Sequence, residues 1–535
     1  MTYRVWGWPV VALSLFLFAR PAHANPVRLL SEGWSAADER GYGEFITAIG
    51  ESGCRTVAQC ITSPANPFRA SDPRGFAFRA DCADLPYFLR FYYAWKRGLP
   101  FSYVQRISPR GRTRDIRYSP RGNQVAGRRD VLTGDNALRV ISNLRDQISS
   151  ATYRIHPELG GDDLYSPALD ARSIRPGTTI YDPNGHLAVV YRVERDGRIR
   201  YIDSHPDNSL TRGTYDLRFV RASPGMGAGF KNWRPARLVG AARAPDGALV
   251  GGRVVLATNA QIPDFSLIQY FGTEFLKMSS RPADAQWKSG AFMLNGGRMD
   301  YYDFLRASLS GGRLRFNPVR EIADLVLSNC ADLSYRAEAV DISLAAGIQN
   351  RPQPPRLPPN IYGTEGDWET YSTPSRDARL KTAFKEVRDN AERFLTLWRA
   401  KDPQIVYNGF DLANDMLDTY DRASAQCTVS YRRSDGSQVR FGYEEARQRL
   451  FAMSFDPYHC VERRWGASAN EAATCRDSML KRRWYEAQQR LRNQLDRSYE
   501  ARMDFNLNEL EAGRGGVAQP PDTDARAFLM RERGR

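Results

Sequence analysis

The stretch from 174 to 206 constrains the fold more than any other part of the chain. Pro176-Gly177 makes a turn, Thr178–Asp182 reads as a short strand, Pro183-Asn184-Gly185 turns again, and His186–Val193 is a valine-rich strand. Asp196-Gly197 then signals a hairpin whose return strand is Ile199–Asp203. A glycine-rich loop (Gly225, Gly227, Gly229) and a strand near 236–239 continue the pattern. Ahead of it, 81–98 predicts a helix, with Leu85, Phe88, Leu89, Tyr92 and Trp95 near helical spacing and Gly98 and Pro100 to stop it. A second helix is expected over 135–150. Helix followed by antiparallel sheet is an α+β pattern.

Past residue 245 the balance moves to helix, with candidates at 264–278, 300–309, 318–346, 376–400, 409–422, 442–453 and, longest, 476–512. The proline-rich stretch 351–359 predicts a stiff extended connector, and 513–535 a disordered tail. The expected organisation is therefore a leader at 1–24, an α+β domain at 25–245, a mainly helical region at 246–512 and the tail. With 535 residues and 42% apolar content, the chain can bury such cores; wholesale disorder and a small disulfide scaffold are excluded.

Arg4, the apolar run Val5–Phe18 and Ala22-His23-Ala24 describe a secretory signal peptide. Its run is too short to span a bilayer, and no later stretch is long and apolar enough. Cleavage after Ala24 would lower the formal charge from +15 to +13, because Arg4 and Arg20 leave with it. A periplasmic or secreted location follows as the expectation. There a basic protein meets anionic envelope polymers rather than nucleic acid. The arginine-rich stretch Arg106–Arg129, read as an irregular basic loop, is the candidate contact.

In an oxidising compartment, seven cysteines leave one over. Cys54 and Cys60 can pair locally, Cys460 and Cys475 flank a short loop, and Cys330 and Cys427 could then pair. Sequence does not fix that connectivity. Cys82 would remain, at the start of the first helix, where unpaired N–H groups and the helix dipole favour a thiolate. The chain has five histidines: His23, His156, His186, His205 and His459. His186 opens the central strand; Asp203 and His205 end the return strand. A nucleophile needs a base, and the base needs a third group to orient it. Cys82, His186 and Asp203 supply the three. A two-residue turn at Asp196-Gly197 would bring His205 nearer, opposite Ala188, so His205 stays in reserve as third member.

A cysteine opening a helix, a Gly-His opening a hairpin and a polar residue ending the return strand together resemble the papain-like cysteine hydrolases. Asp81-Cys82, Pro176-Gly177 and Gly185-His186-Leu187-Ala188-Val189-Val190 look like the NlpC/P60 branch, whose members typically cut peptidoglycan peptides. Asp81-Cys82-Ala83-Asp84-Leu85, Gly98-Leu99-Pro100 and the His186-to-Asp203 spacing look like the transglutaminase-like branch. The resemblance covers about residues 75–210. It implies a papain-like domain, a peptide or peptidoglycan substrate, Cys82 as nucleophile, His186 as base and Asp203 at the third position, where NlpC/P60 proteins often carry histidine. The chemistry would be hydrolysis of an amide or, in the transglutaminase-like pattern, acyl transfer. A non-catalytic envelope scaffold built on the same domain is the alternative. Pro86 departs from the pattern: it removes the N–H that would bond the Cys82 carbonyl, so the helix must start at Asp84 or be distorted.

Cys330-Ala331-Asp332-Leu333 echoes Cys82-Ala83-Asp84-Leu85, but no histidine lies between Cys330 and His459. His459-Cys460 lacks partners at zinc spacing, and Gly225–Gly229 lacks the setting of a dinucleotide loop. No metal and no cofactor is expected.

Overall fold

The computed structural model describes residues 25–534 apart from 113–115, 118, 184, 207, 362–365, 372 and 497–500. The predicted leader, and Arg114, Asp115, Asn184 and Tyr499, therefore lie outside the described residues. The chain combines helices and strands in an α+β arrangement.

Helix α1 (Ala36–Glu51) is started by a capping box between Ser35 and Asp38. Helix α2 (Asp84–Arg97) is a core helix: Leu85, Tyr87, Phe88, Leu89, Phe91 and Tyr92 are each at most 1% exposed, so it is covered nearly all round. It begins at Asp84, which puts Pro86 in the first turn, where N–H groups have no intrahelical partner anyway. Gly98 ends it with φ 65°; a Cβ there would meet the Arg28 carbonyl at 2.8 Å. Strands β1 (Phe101–Pro109) and β2 (Asn123–Val131) form an antiparallel ribbon, followed by α3 (Ala137–Gln147).

Six strands make the main sheet: β3 (Leu164–Tyr165), β4 (Thr179–Asp182), β5 (His186–Val193), β6 (Ile199–Ser204), β7 (Leu210–Thr214) and β8 (Gly229–Trp233), in the spatial order β3-β8-β4-β5-β6-β7. Every pairing is antiparallel. Leu187, Val189, Tyr191 and Ile202 share one core with α1 and α2. Ala188, Val190, Ile199 and Tyr201 pack on the other face against Phe292 and α4 (Tyr301–Leu309). Both faces are buried, which is why β5 reads as a continuous apolar run. The first core thus reaches residue 309, and the hairpin β9 (Ala236–Arg243) to β10 (Leu249–Leu256) straddles the position where a boundary was expected.

Helices α5 (Pro318–Ala345), α6 (Thr373–Arg399) and α7 (Leu412–Ser424) build a second core around Val326, Leu333, Phe384, Leu395, Met416 and Tyr420. Ion pairs tie α5 to the sheet layer, Arg218 to Asp332 at 2.8 Å and Arg306 to Glu321 at 2.7 Å.

Several expectations change. The two ends of the arginine-rich stretch, 106–109 and 123–129, belong to the β1–β2 ribbon rather than to an irregular loop. Arg106, Arg128 and Arg129 are carried on paired backbone, and Arg128 reaches Ser102 and, at 2.5 Å, Asp163. The Ser-Pro-Arg-Gly repeats mark the ends of the strands, not the absence of strands. The helix expected at 476–512 is broken into Met479–Ala487, Gln489–Asn493 and Leu507–Glu511. Met503 and Phe505 instead lie beside the proline-rich connector, whose Leu357 N–H donates to the Phe505 carbonyl. The segment 264–278 holds one turn of helix, Ile268–Phe271, ended by Gly272 at φ 75°. The tail expected to be disordered carries α8 (Ala525–Glu532), whose Phe528 and Leu529 are buried in the second core.

Three disulfides join Cys54–Cys60, Cys330–Cys427 and Cys460–Cys475, with Cα separations of 5.1, 5.6 and 5.7 Å. They are compatible with an extracytoplasmic location. Among the described residues no helix is long and apolar enough to cross a membrane.

Candidate active site

Cys82 is the one free cysteine, half-buried at the entry to α2. Asp81 shapes that entry: its Oδ1 accepts from the N–H groups of Ala83 and Asp84 at 2.8 and 3.1 Å. The Cys82 N–H donates to no described residue. Two bonds clamp the segment. Ser204, at the end of β6, donates to the Ala80 carbonyl at 2.5 Å, and Tyr153 donates to the Ala83 carbonyl at 2.7 Å. The turn ahead of β5 is held by Arg154, which donates to the Pro183 carbonyl at 2.7 Å.

These restraints put the Cys82 Sγ 3.6 Å from the carbonyl oxygen of Gly185, the residue before His186. The His186 Nε2 meets the Asp203 Oδ2 at 2.6 Å. His205 is the outer partner: its ring lies 5.7 Å from that of His186, nearly parallel, and its Nε2 is 3.8 Å from the Asp203 Oδ2. The His205 Nε2 instead pairs with the Thr211 hydroxyl at 3.0 Å, and Thr211 donates to the Asp203 Oδ1. Thr211 sits directly opposite Asp203 on β7. A single relay therefore runs His205, Thr211, Asp203, His186.

The register explains the outcome. The connection between β5 and β6 is one residue longer than a two-residue hairpin, closing with the Glu194 N–H on the Arg198 carbonyl, and β5 carries a bulge between Val190 and Arg192. Each shift alone would turn Asp203 to the other face. Together they move it by two residues, set Val189 against Ile202, and return Asp203 to the face of His186. His205 consequently moves away from Ala188.

All four residues line one cleft of about 250 Å³. One wall is the entry to α2 and the β5–β7 ends. The other comes from α5 and α6, through Asp332, Tyr335, Arg376 and Arg379. Burial resists ionisation of Asp203, but His205, His186 and Arg379 overcome it and hold the carboxyl well below its usual range. Cys82 differs from the expectation of an acidified thiol: burial, then the carboxyls of Asp81, Asp84 and Asp203, push it up. Asp84 is itself raised to about 9, by burial and by Asp81, and its Oδ1 has no hydrogen-bond partner. The dipole of α2 is outweighed by desolvation and this acidic group.

The remaining described histidines serve elsewhere. His459 is fully buried between the Ser454 hydroxyl and the Lys481 carbonyl, and burial lowers it to about 4. His156 faces Asp284 at 3.2 Å. Cys460, Glu462 and Cys475 come together with metal-type atoms, but the two sulfurs are bonded to each other and offer no thiolate. Thr211 and Arg379 have no signal in the sequence: Thr211 needs the β6–β7 register, and Arg379 arrives from a distant helix with no local motif. Asp332, visible in the sequence only as part of the Cys-Ala-Asp-Leu echo, joins the cleft from α5.

No protein-family model matches the chain, and neither a curated protein nor a solved structure is significantly similar to it. The site itself therefore carries the functional reading.

Proposed function

We propose that this chain is an extracytoplasmic, papain-like cysteine hydrolase that cleaves amide bonds, with cell-wall peptides as its substrate class. The observation that carries the reading is the short contact between the His186 Nε2 and the Asp203 Oδ2, 2.6 Å, beside a free thiol 3.6 Å from the Gly185 carbonyl. Cys82 opening a helix packed on the sheet, with His186 starting one strand and Asp203 ending the next, supports the papain-like arrangement.

In this reading Asp203, ionised and bonded to Nε2, fixes the imidazole so that Nδ1 takes the Cys82 proton. The sulfur then attacks the substrate carbonyl, and the developing oxyanion is met by the Cys82 N–H. His186 returns the proton to the leaving amine. Water releases the acyl group from sulfur; an amine in its place would give acyl transfer, the outcome the transglutaminase-like pattern favours. Because the thiol is pushed up, proton transfer accompanies attack rather than preceding it. The exposed Arg112 and Arg121 at the ribbon tip offer a contact for anionic envelope polymer.

The test is incubation of the full, non-reduced chain with peptidoglycan fragments, followed by mass spectrometry. Wild type releases cleaved peptides and Cys82→Ala does not; equal release by both would sink the proposal. The raised thiol favours a second reading, a non-catalytic envelope-binding scaffold. That reading predicts retention of fragments by both proteins with no new products.

A further inference from the structure

The cleft carries six arginines against three aspartates, yet most of its guanidinium groups are already engaged within the fold. Arg212 donates to the Cys54 carbonyl at 2.7 Å. Arg218 pairs with Asp332 and Arg336 with Asp377, each at 2.8 Å. Arg379, from the second turn of α6, is different. It makes neither a hydrogen bond nor an ion pair with any described residue. Its guanidinium lies 5.4 Å over the ring of Phe219, and that ring is 6.3 Å from the ring of His186. Arg379 is half-buried and lines the same cleft as Cys82 and His186. Asp203, whose charge favours the Arg379 cation, is committed to His186 and Thr211.

A guanidinium with no carboxylate partner beside a cleft is open to a ligand, and its planar fork matches an oxyanion in a bidentate manner. We propose that Arg379 receives a carboxylate of the substrate, so that the thiol acts on a carbonyl flanked by negative charge. This rests on Cys82 being the nucleophile, and it makes Arg379 a specificity-determining residue supplied by the helical region. A carboxylate in that position would also sit beside the Phe219 face that already orients the guanidinium, so its direction relative to His186 is set by the fold.

Alkylation of Cys82 tests the clamp without knowledge of the natural substrate. Iodoacetate and iodoacetamide differ in the carboxylate; each forms an S–C bond at Cys82 and expels iodide, the thiol proton passing to His186 or solvent. Measured by mass spectrometry on the non-reduced full chain and normalised to free cysteine, iodoacetate is expected to react about tenfold faster than iodoacetamide. Arg379→Gln should abolish that preference and Arg379→Lys keep part of it. Arg172→Gln, which removes the same charge from a side chain that is 94% exposed, should leave it intact. Equal rates in wild type, or a preference that survives Arg379→Gln, overturn the clamp. If neither reagent reacts, the proposed nucleophile falls, and binding decides the clamp separately. Glutarate should raise the melting midpoint of wild type and not of Arg379→Gln, whose unliganded midpoint checks that it folds. Absence of that shift overturns the clamp, as does a larger shift with inorganic phosphate, which would reassign the ligand from carboxylate to phosphate.

Discussion

The tetrapeptide Cys-Ala-Asp-Leu occurs twice, at 82–85 and at 330–333, and the two copies meet opposite fates at the same cleft. Both leucines are core residues, Leu85 at 1% and Leu333 at 0% exposure. Cys82 precedes a helix, faces the cleft and stays a thiol. Cys330 lies in the middle of α5, where its side chain reaches Cys427 and becomes half of a disulfide. Asp84 is buried with one oxygen unpartnered and is held protonated at neutral pH. Asp332 reaches Arg218 across to the sheet layer. The same four residues thus give a free thiol at a helix start and a structural joint at a helix centre. Position within the helix, and what faces it, decides the chemistry.

The largest effect should come from separating the cysteines. Cys82→Ala should lower amide cleavage by about a thousandfold or more with an unchanged melting midpoint. Joint replacement of Cys330 and Cys427 by alanine should leave cleavage measurable while lowering stability by about 4 kcal/mol in urea titration, as expected for opening so long a loop. If Cys330 proved the residue needed for turnover, the assignment of roles would be reversed. Next in size is Asp203→Asn, which leaves the shape but removes the charge that orients and supports the His186 ring. A fall in kcat on the order of a hundredfold to ten-thousandfold is expected, and a KM effect without a kcat effect would contradict the orienting role.

The smallest effects belong to the aspartates. The folded-state carboxyl of Asp84 is raised to about 9, above its unfolded value of about 4. The unfolded chain therefore ionises this group first, and the stability it contributes when protonated is lost as pH rises from about 4 through about 9. Asp84→Asn should raise the melting midpoint most at pH 9 and little at pH 4. It should also bring Cys82 alkylation by iodoacetamide to lower pH, since one of the groups pushing the thiol up is gone. Asp332→Asn should leave the pH profile of alkylation nearly unchanged, because its partner is Arg218. A parallel shift in both variants would erase the distinction between the two copies.

The α+β order and the hairpin were legible because turns and apolar runs are local signals. So was the odd cysteine, since six others had partners within reach. The side on which Asp203 and His205 fall was not legible: it depends on a bulge and one added turn residue that cancel in parity. Nor was the raised thiol: Asp81 and Asp84 stand beside Cys82 in the sequence, but burial, the larger cause, acts in three dimensions. The β1–β2 ribbon was hidden by the charge around its turn, and α8 by the polar residues around Phe528 and Leu529. Thr211 and Arg379 carry no motif; only packing gives them a role.

The cleft is walled by α5 and α6 as much as by the strands that hold His186 and Asp203. Synthesis proceeds from the N-terminus and domains tend to fold as they emerge, so the thiol and its histidine are made long before the wall that completes them. A nascent chain stopped short of α6 would hold Cys82, His186 and Asp203 without the Arg379 side of the cleft. The cleft is therefore complete only when the last-made half has docked on the first.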